Sequence, residues 1–263
     1  MRWLAFAAIS AASLYGQLSP PNDMGVSVGH IHLIVADPEA QKKIWSGVLG
    51  AEVIALPPLE LYKIPGVFVV VQKAGRTVPT EGSDGSTVNH FGFLVKSYDE
   101  IKKKLTDAGL KFTMDNAQTH QIIAELPEKI RVEFTEDKAL TVPMKFHHIH
   151  EANVDQEKVR DWYVKTFGAT PGTRGAFPAA FVPGGEVDVL KATGEVSATK
   201  GRTLDHIGFE VKDLEAFCKK LDADGMKFDM KYTVIPQLQG LKIAFVIDPW
   251  GTRIELTEGL NTH

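Results

Sequence analysis

The sequence predicts an α+β fold of four βαβββ modules paired into two domains, and three observations predict it. First, a histidine opens a β-like run four times: Gly29-His30-Ile31-His32-Leu33, Asn89-His90-Phe91-Gly92-Phe93, His147-His148-Ile149-His150 and Asp205-His206-Ile207-Gly208-Phe209. Second, a helix-like segment and a glycine follow each run at nearly constant distance. The spacing is twenty residues from His30 to Gly50 and from His148 to Gly168, and nineteen from His90 to Gly109 and from His206 to Gly225. Third, the endings repeat, because Asp107-Ala108-Gly109-Leu110-Lys111-Phe112 answers Ala223-Asp224-Gly225-Met226-Lys227-Phe228, and Arg131-Val132-Glu133-Phe134-Thr135-Glu136 answers Arg253-Ile254-Glu255-Leu256-Thr257-Glu258. The order A-B-A-B marks a duplicated pair of modules. A repeat kept for packing alone would preserve apolar positions; an imidazole kept in register points to a repeated site.

Along the chain, Arg2, the apolar run Trp3 to Ile9 and the small residues Ser10-Ala11-Ala12-Ser13 read as a signal peptide over residues 1–17, with cleavage between Ala12 and Gln17. The apolar run is too short to span a membrane, and the mature protein is expected to be exported, periplasmic or secreted. Residues 18–27 read as a linker, with folding from Val28. In the first module Gly29 to Ala36 is a strand, Asp37-Pro38 starts a helix running to Leu49, Gly50 sits at its end, and Val67 to Val71 is a later strand. The second module has a strand from His90 to Val95, a helix from Tyr98 to Ala108 and a closing strand at Arg131 to Phe134. The third starts at His148, with a helix through Phe167 and a strand at Val187 to Leu190. The fourth has a strand from His206 to Val211, a helix from Leu214 to Asp224 and a closing strand at Arg253 to Leu256. The modules group into an N-terminal domain, 28–137, a linker, 138–144, and a C-terminal domain, 145–259.

The bulk properties bound the partners. With 263 residues, 44% of them hydrophobic, the chain is an ordinary globular protein. A net charge of -4 without any Lys/Arg run excludes the electrostatic footprint of a nucleic-acid or anionic-membrane binder. A small molecule is the expected partner. Cys218 is the only cysteine, so no intramolecular disulfide can form, and it reads as a small buried hydrophobe.

Strand parity says where the marked residues point. Ile207, Phe209 and Val211 alternate with His206, Gly208 and Glu210, so His206 lies on the face away from the apolar set, and His90 does the same opposite Phe91, Phe93 and Val95. On the closing strand Glu255 shares a face with Arg253 and Thr257. If each pair of modules curls its sheet around a cleft, two histidines and a glutamate converge there.

On these residues the chain resembles the vicinal-oxygen-chelate superfamily of glyoxalases, bleomycin-resistance proteins and extradiol dioxygenases. The resemblance covers nearly everything after residue 27. Its carriers are a histidine followed seven residues later by aspartate (His30/Asp37, His148/Asp155, His206/Asp213) and the closing segment Asp248-Pro249-Trp250-Gly251-Thr252-Arg253-Ile254-Glu255-Leu256. The second module departs, with Ser97 in place of the aspartate and no Asp-Pro-x-Gly turn before Glu133. The resemblance implies two glyoxalase-like domains with curled mixed sheets and outer helices. Carried over by position, it implies metal ligands His148, His206 and Glu255 in the C-terminal half and His30, His90 and Glu133 in the N-terminal half. Two imidazoles and a carboxylate suit Fe2+, Mn2+, Zn2+ or Ni2+ with open positions for two neighbouring substrate oxygens. His32 and His150 share a strand face with His30 and His148 and are either alternative ligands or orienting partners. His120 and His147 read as surface or packing residues.

Asp188, eighteen residues before His206, stands where similar enzymes carry a further catalytic carboxylate, and its N-terminal counterpart is Val70. The C-terminal set, with its intact closing segment, is the favoured one. Similar extradiol dioxygenases carry a tyrosine ten residues before the glutamate, where this chain has Phe245. The resemblance implies a metal-dependent isomerase, lyase or ring-cleaving dioxygenase acting on a small substrate. The rival reading is a non-catalytic small-molecule binding protein of the bleomycin-resistance type. Metal, substrate and oligomeric state stay open at this point.

Overall fold

The computed structural model describes residues 17–263; the signal-peptide segment, apart from Gln17, lies outside them. Each module is a βαβββ unit. The first contains β1 (Val26–Val35), α1 (Pro38–Lys42), β2 (Glu52–Leu56), β3 (Leu59–Ile64) and β4 (Val67–Lys73). The second contains β5 (Val88–Val95), α2 (Tyr98–Asp107), β6 (Lys111–Asn116), β7 (Gln121–Leu126) and β8 (Ile130–Glu136). The third contains β9 (Met144–Asn153), α3 (Gln156–Phe167), β10 (Thr170–Arg174), β11 (Phe177–Val182) and β12 (Gly185–Lys191). The fourth contains β13 (Leu204–Val211), α4 (Leu214–Ala223), β14 (Phe228–Ile235), β15 (Leu241–Ile247) and β16 (Arg253–Glu258).

The aspartate seven residues after the histidine is a helix cap. Asp37 accepts from the Ala40 N–H and Asp213 from the Ala216 N–H, each satisfying one of the donors a helix leaves free at its start. Ser97, which breaks the repeat in sequence, makes the same bond to the Glu100 N–H. Asp155 makes no such bond and instead pairs with Lys158. The first helix differs from expectation in continuing over Lys43–Val48 as a π-helical stretch.

The strands form two eight-stranded mixed sheets, in the orders β14-β15-β16-β13-β1-β4-β3-β2 and β10-β11-β12-β9-β5-β8-β7-β6. Modules 4 and 1 therefore share one sheet, joined by antiparallel β1 and β13, and modules 3 and 2 share the other, joined by antiparallel β9 and β5. The two sheets and the two sequence halves are different partitions of the chain. The second sheet is contiguous in sequence, whereas the first is assembled from the chain's two ends. Modules of the same half meet elsewhere, through the core. Trp45 stacks on Phe91 at 6.0 Å and Phe167 lies 4.8 Å from Phe209 between ring centres. One apolar core runs through both sheets on the helix-covered faces, with Ile31, Leu33, Ile207, Phe209, Ile254 and Leu256 all buried in it. The histidines, of opposite parity, face away from it.

The closing turn before β16 is ordered by Asp248, whose Oδ1 accepts the N–H groups of Trp250, Gly251 and Thr252 at 2.9, 2.7 and 2.8 Å. Gly251 takes φ +110°, which a side chain disfavours. Burial pushes the Asp248 carboxyl up to about 6 despite those bonds. A carboxyl whose folded value is raised gives stability that is full below the unfolded value near 4 and falls as pH rises to 6. Asp248→Asn keeps the accepting oxygen and removes the buried charge. Relative to wild type it should therefore be unchanged below pH 4 and more stable above pH 6, by up to about 3 kcal/mol. Urea midpoints of both proteins at pH 4 and pH 7 measure this difference, and equal differences at the two pH values would refute it.

Candidate metal centres

The structure brings the predicted ligands together in a different grouping. His30, His32, His206 and Glu255 offer ligand atoms within 4.8 Å of one another, and so do His90, Glu133, His148 and His150. The expected sets, His148/His206/Glu255 and His30/His90/Glu133, are each divided between the two sheets. The physical reason is the strand pairing: His30 lies opposite Gly208 and His32 opposite His206 on β1 and β13, while His148 lies opposite Gly92 and His150 opposite His90 on β9 and β5. An A-B-A-B repeat requires an A module beside a B module but leaves either B module eligible. Asp188 consequently stands with Glu133, and Glu255 has Val70 near it.

In the first centre, His30 Nε2 and His206 Nε2 both lie 2.9 Å from the same oxygen of Glu255. His206 donates from Nδ1 to Asp205 Oδ1 at 2.7 Å, because a carboxylate can only accept. Asp205 is held in turn by Arg253 at 2.7 Å and by the Gly201 N–H at 2.7 Å. That leaves the Nε2 lone pair directed inward whenever His206 is neutral, the arrangement of a metal-ligating imidazole with its outer partner. Burial works against the charged forms here, yet hydrogen bonds from His206 and His30 outweigh it and hold Glu255 well below the usual carboxylate range. For His206, burial is likewise outweighed by its bonds to Asp205 and Glu255, which raise it; His30 and His32 are lowered by burial. The centre opens on a cavity of about 460 Å³ whose walls include Leu56, Leu59, Leu61, Val70, Leu241 and Phe245. Phe245 pairs across the strands with Glu255, and its ring lies 5.0 Å from that of His206, edge to face.

In the second centre, His90 Nε2 is 3.1 Å and His148 Nε2 3.7 Å from Glu133 Oε2. His90 donates from Nδ1 to Asn89 Oδ1 at 2.8 Å, in the place where His206 uses Asp205. Burial raises Glu133 but the His90 bond dominates and brings it down to about 2. Asp188 goes the other way, pushed up to about 7 by burial and by the neighbouring Glu186. Burial lowers His148 far below its usual value and takes His150 to about 3. Arg174 enters this centre from β10, with Nη1 at 3.2 Å from Asp188, 3.3 Å from Glu186 and 2.6 Å from His148 Nδ1.

Three kinds of residue escaped the sequence reading. Gly92 and Gly208 are one: a Cβ at Gly208 would sit 2.1 to 2.6 Å from the His30 ring, and one at Gly92 2.2 to 2.9 Å from the His148 ring. Each glycine makes room for the histidine across the sheet, and a glycine recurring inside a strand was the available signal. Asp205 and Asn89 are the second kind, each directly preceding its histidine. Arg174 is the third.

The donor set of the first centre fits a divalent metal. It offers two imidazoles and a carboxylate, a buried carboxylate partner behind one imidazole, and an adjoining cavity for the remaining coordination positions. Among the described residues no helix is long and apolar enough to cross a membrane.

Comparison with known proteins agrees with the fold. Residues 145–256 match the Glyoxalase/Bleomycin resistance protein/Dioxygenase superfamily. Glyoxalase I from Zea mays superposes with a TM-score of 0.71 at 15% identity, covering 90% of this chain and 94% of that one. A putative dioxygenase from Bacillus subtilis superposes with a TM-score of 0.70 at 17% identity, covering 88% and 84%. No curated protein matches the sequence. Residues 145–256 thus resemble the Glyoxalase/Bleomycin resistance protein/Dioxygenase superfamily, and the chain as a whole shares the fold of glyoxalase I, its modules repeating that fold around two histidine–glutamate centres.

Proposed function

We propose that the protein is a divalent-metal-dependent enzyme acting on a small substrate with vicinal oxygens, and that catalysis takes place at the His30–His206–Glu255 centre. The observation that carries this is the convergence of two imidazole nitrogens on one Glu255 oxygen at the mouth of a cavity. When bound, the metal supplies Lewis acidity to two neighbouring substrate oxygens. His30, His206 and Glu255 would hold it, and Asp205 keeps the His206 lone pair aimed inward. The walls formed by Leu56, Leu61, Val70 and Leu241 exclude water and favour a substrate whose remainder is apolar. His32 completes the centre as a neutral imidazole whose Nε2 donates to Gln72 Oε1 at 3.2 Å, which leaves its Nδ1 free to accept a proton. No carboxylate stands in the Val70 position, so proton transfer at this centre falls to His32. The amino-terminal pattern of Arg2 followed by an apolar run supports action outside the cytoplasm.

Metal content of the protein after anaerobic reconstitution with Fe2+, Mn2+, Zn2+ or Ni2+, followed by assays for oxygen uptake and for substrate proton exchange with solvent, tests the proposal. One metal per chain with turnover of a vicinal-oxygen substrate is expected. Absence of stoichiometric metal would overturn it, and ligand binding retained in the presence of a chelator would replace it with the non-catalytic binding function.

A further inference from the structure

Modules 1 and 3 align without a gap: β2, β3 and β4 of one have the same lengths and turns as β10, β11 and β12 of the other. In this register Leu56 answers Arg174, Phe68 answers Glu186 and Val70 answers Asp188. The strand pairings agree, since His30 pairs with Phe68 where His148 pairs with Glu186, and His32 with Val70 where His150 pairs with Asp188. Three apolar residues flanking the first centre are thus replaced together, in the second, by one cation and two carboxylates. All three are engaged: Arg174 Nη1 lies 3.3 Å from Glu186 and 3.2 Å from Asp188, and Nη2 lies 3.8 Å from Glu133.

The guanidinium also fixes a proton. Arginine only donates, and its Nη1 is 2.6 Å from His148 Nδ1 and 2.9 Å from His147 Nδ1. Of the four groups around the two Nη1 hydrogens His148 Nδ1 is the nearest, with His147 Nδ1 a further 2.9 Å neighbour of it, and as the acceptor of that short contact His148 carries its hydrogen on Nε2, the atom that faces Glu133. His30, the counterpart of His148 in the first centre, has no donor on its Nδ1, His206 has a carboxylate behind the same nitrogen, and His90, beside His148 in the second centre, has an amide oxygen there. A metal-ligating histidine carries its proton on the outer nitrogen and gives it to an acceptor; His148 has a donor there and the opposite polarity. His148 is fully buried, and its Nε2 has no hydrogen-bond partner.

We infer that Arg174 is the resident cation of the second centre: it neutralises the carboxylates there, holds His148 as the Nε2–H tautomer and keeps a divalent metal out. The inference rests on the metal-binding reading of the first centre only for the expected total. The chain then carries one metal although it has two histidine–glutamate clusters, and the second cluster is a charge-satisfied strut between β5 and β9.

Zinc titration by calorimetry, with metal analysis after dialysis, tests this with Zn2+ alone as the probe. Wild type should bind one Zn2+ per chain, Glu255→Gln none, Arg174→Met two, and the double variant one. Two in wild type would overturn the inference and leave the metal-dependent function standing. None in wild type and one in Arg174→Met would do the reverse. A folded Arg174→Met protein that gains no zinc over wild type would also overturn it. Should that variant not fold, nitrogen-15 shifts of His148 in wild type decide, with a protonated Nε2 expected and a protonated Nδ1 overturning the inference.

Discussion

The Glu255→Gln protein should bind divalent metal more than about 100-fold more weakly than wild type, since loss of even an outer partner of a ligand lowers affinity by up to about that factor. Glu255 is the one anionic member of the first centre, and both imidazoles reach the same oxygen at 2.9 Å. An amide keeps the size and one acceptor, so the test separates charge from shape. Without metal, the exchange also removes the counter-charge of His206, whose ring is buried and whose bond to Glu255 helps to raise it above the ordinary histidine value. Because Glu255 is held far below the carboxylate range, its stabilising pairing is present above pH 4.5 and fades only as pH falls below that. Calorimetric zinc affinity at pH 7.5 is the measurement, and unchanged affinity would remove Glu255 from the ligand set.

Gly208→Ala should have a comparable effect through packing alone. The added methyl would lie 2.1 Å from Cε1 and 2.2 Å from Nδ1 of His30, well inside contact distance, so the imidazole has to leave its position. Neither the donor set nor the charge changes, yet the first centre loses one of its three ligands, again with an expected loss of more than about 100-fold in metal affinity. Overpacking of this kind costs about 1–3 kcal/mol in stability. Gly92→Ala is the matched control. It displaces His148 in the second centre with the same geometry, and zinc affinity should stay at the wild-type value. Equal losses in both variants would mean that both centres bind.

Much of the site was legible because its chemistry is repeated. The four opening histidines and both closing glutamates all lie in the two centres, together with His32 and His150. Strand parity put them on the face away from the core, as found. The grouping was not legible, because complementarity between module types says nothing about which copy pairs with which; β1 could close with either β5 or β13. Arg174 was hidden for a related reason. Only the Val70/Asp188 difference was read across the repeat, whereas Leu56/Arg174 and Phe68/Glu186 in the same register show a coordinated change of chemistry. Ser97 looked like a departure and turned out to cap its helix as Asp37 does, since both side chains supply an acceptor to the same kind of free N–H.

The split origin of the first sheet sets an order of assembly during synthesis. The second sheet is complete once β12 has emerged, and its strands come from one uninterrupted stretch of chain. The strand bearing His30 waits for a partner 178 positions later, at Gly208. At 5–20 residues per second that is a delay on the order of ten to thirty-five seconds. Through that interval one edge of β1 has no strand to pair with, although its apolar residues are fully formed for burial. The first centre is completed only when β16 joins it, and any nascent or shortened chain that ends before β13 contains the arginine-filled cluster without the open one.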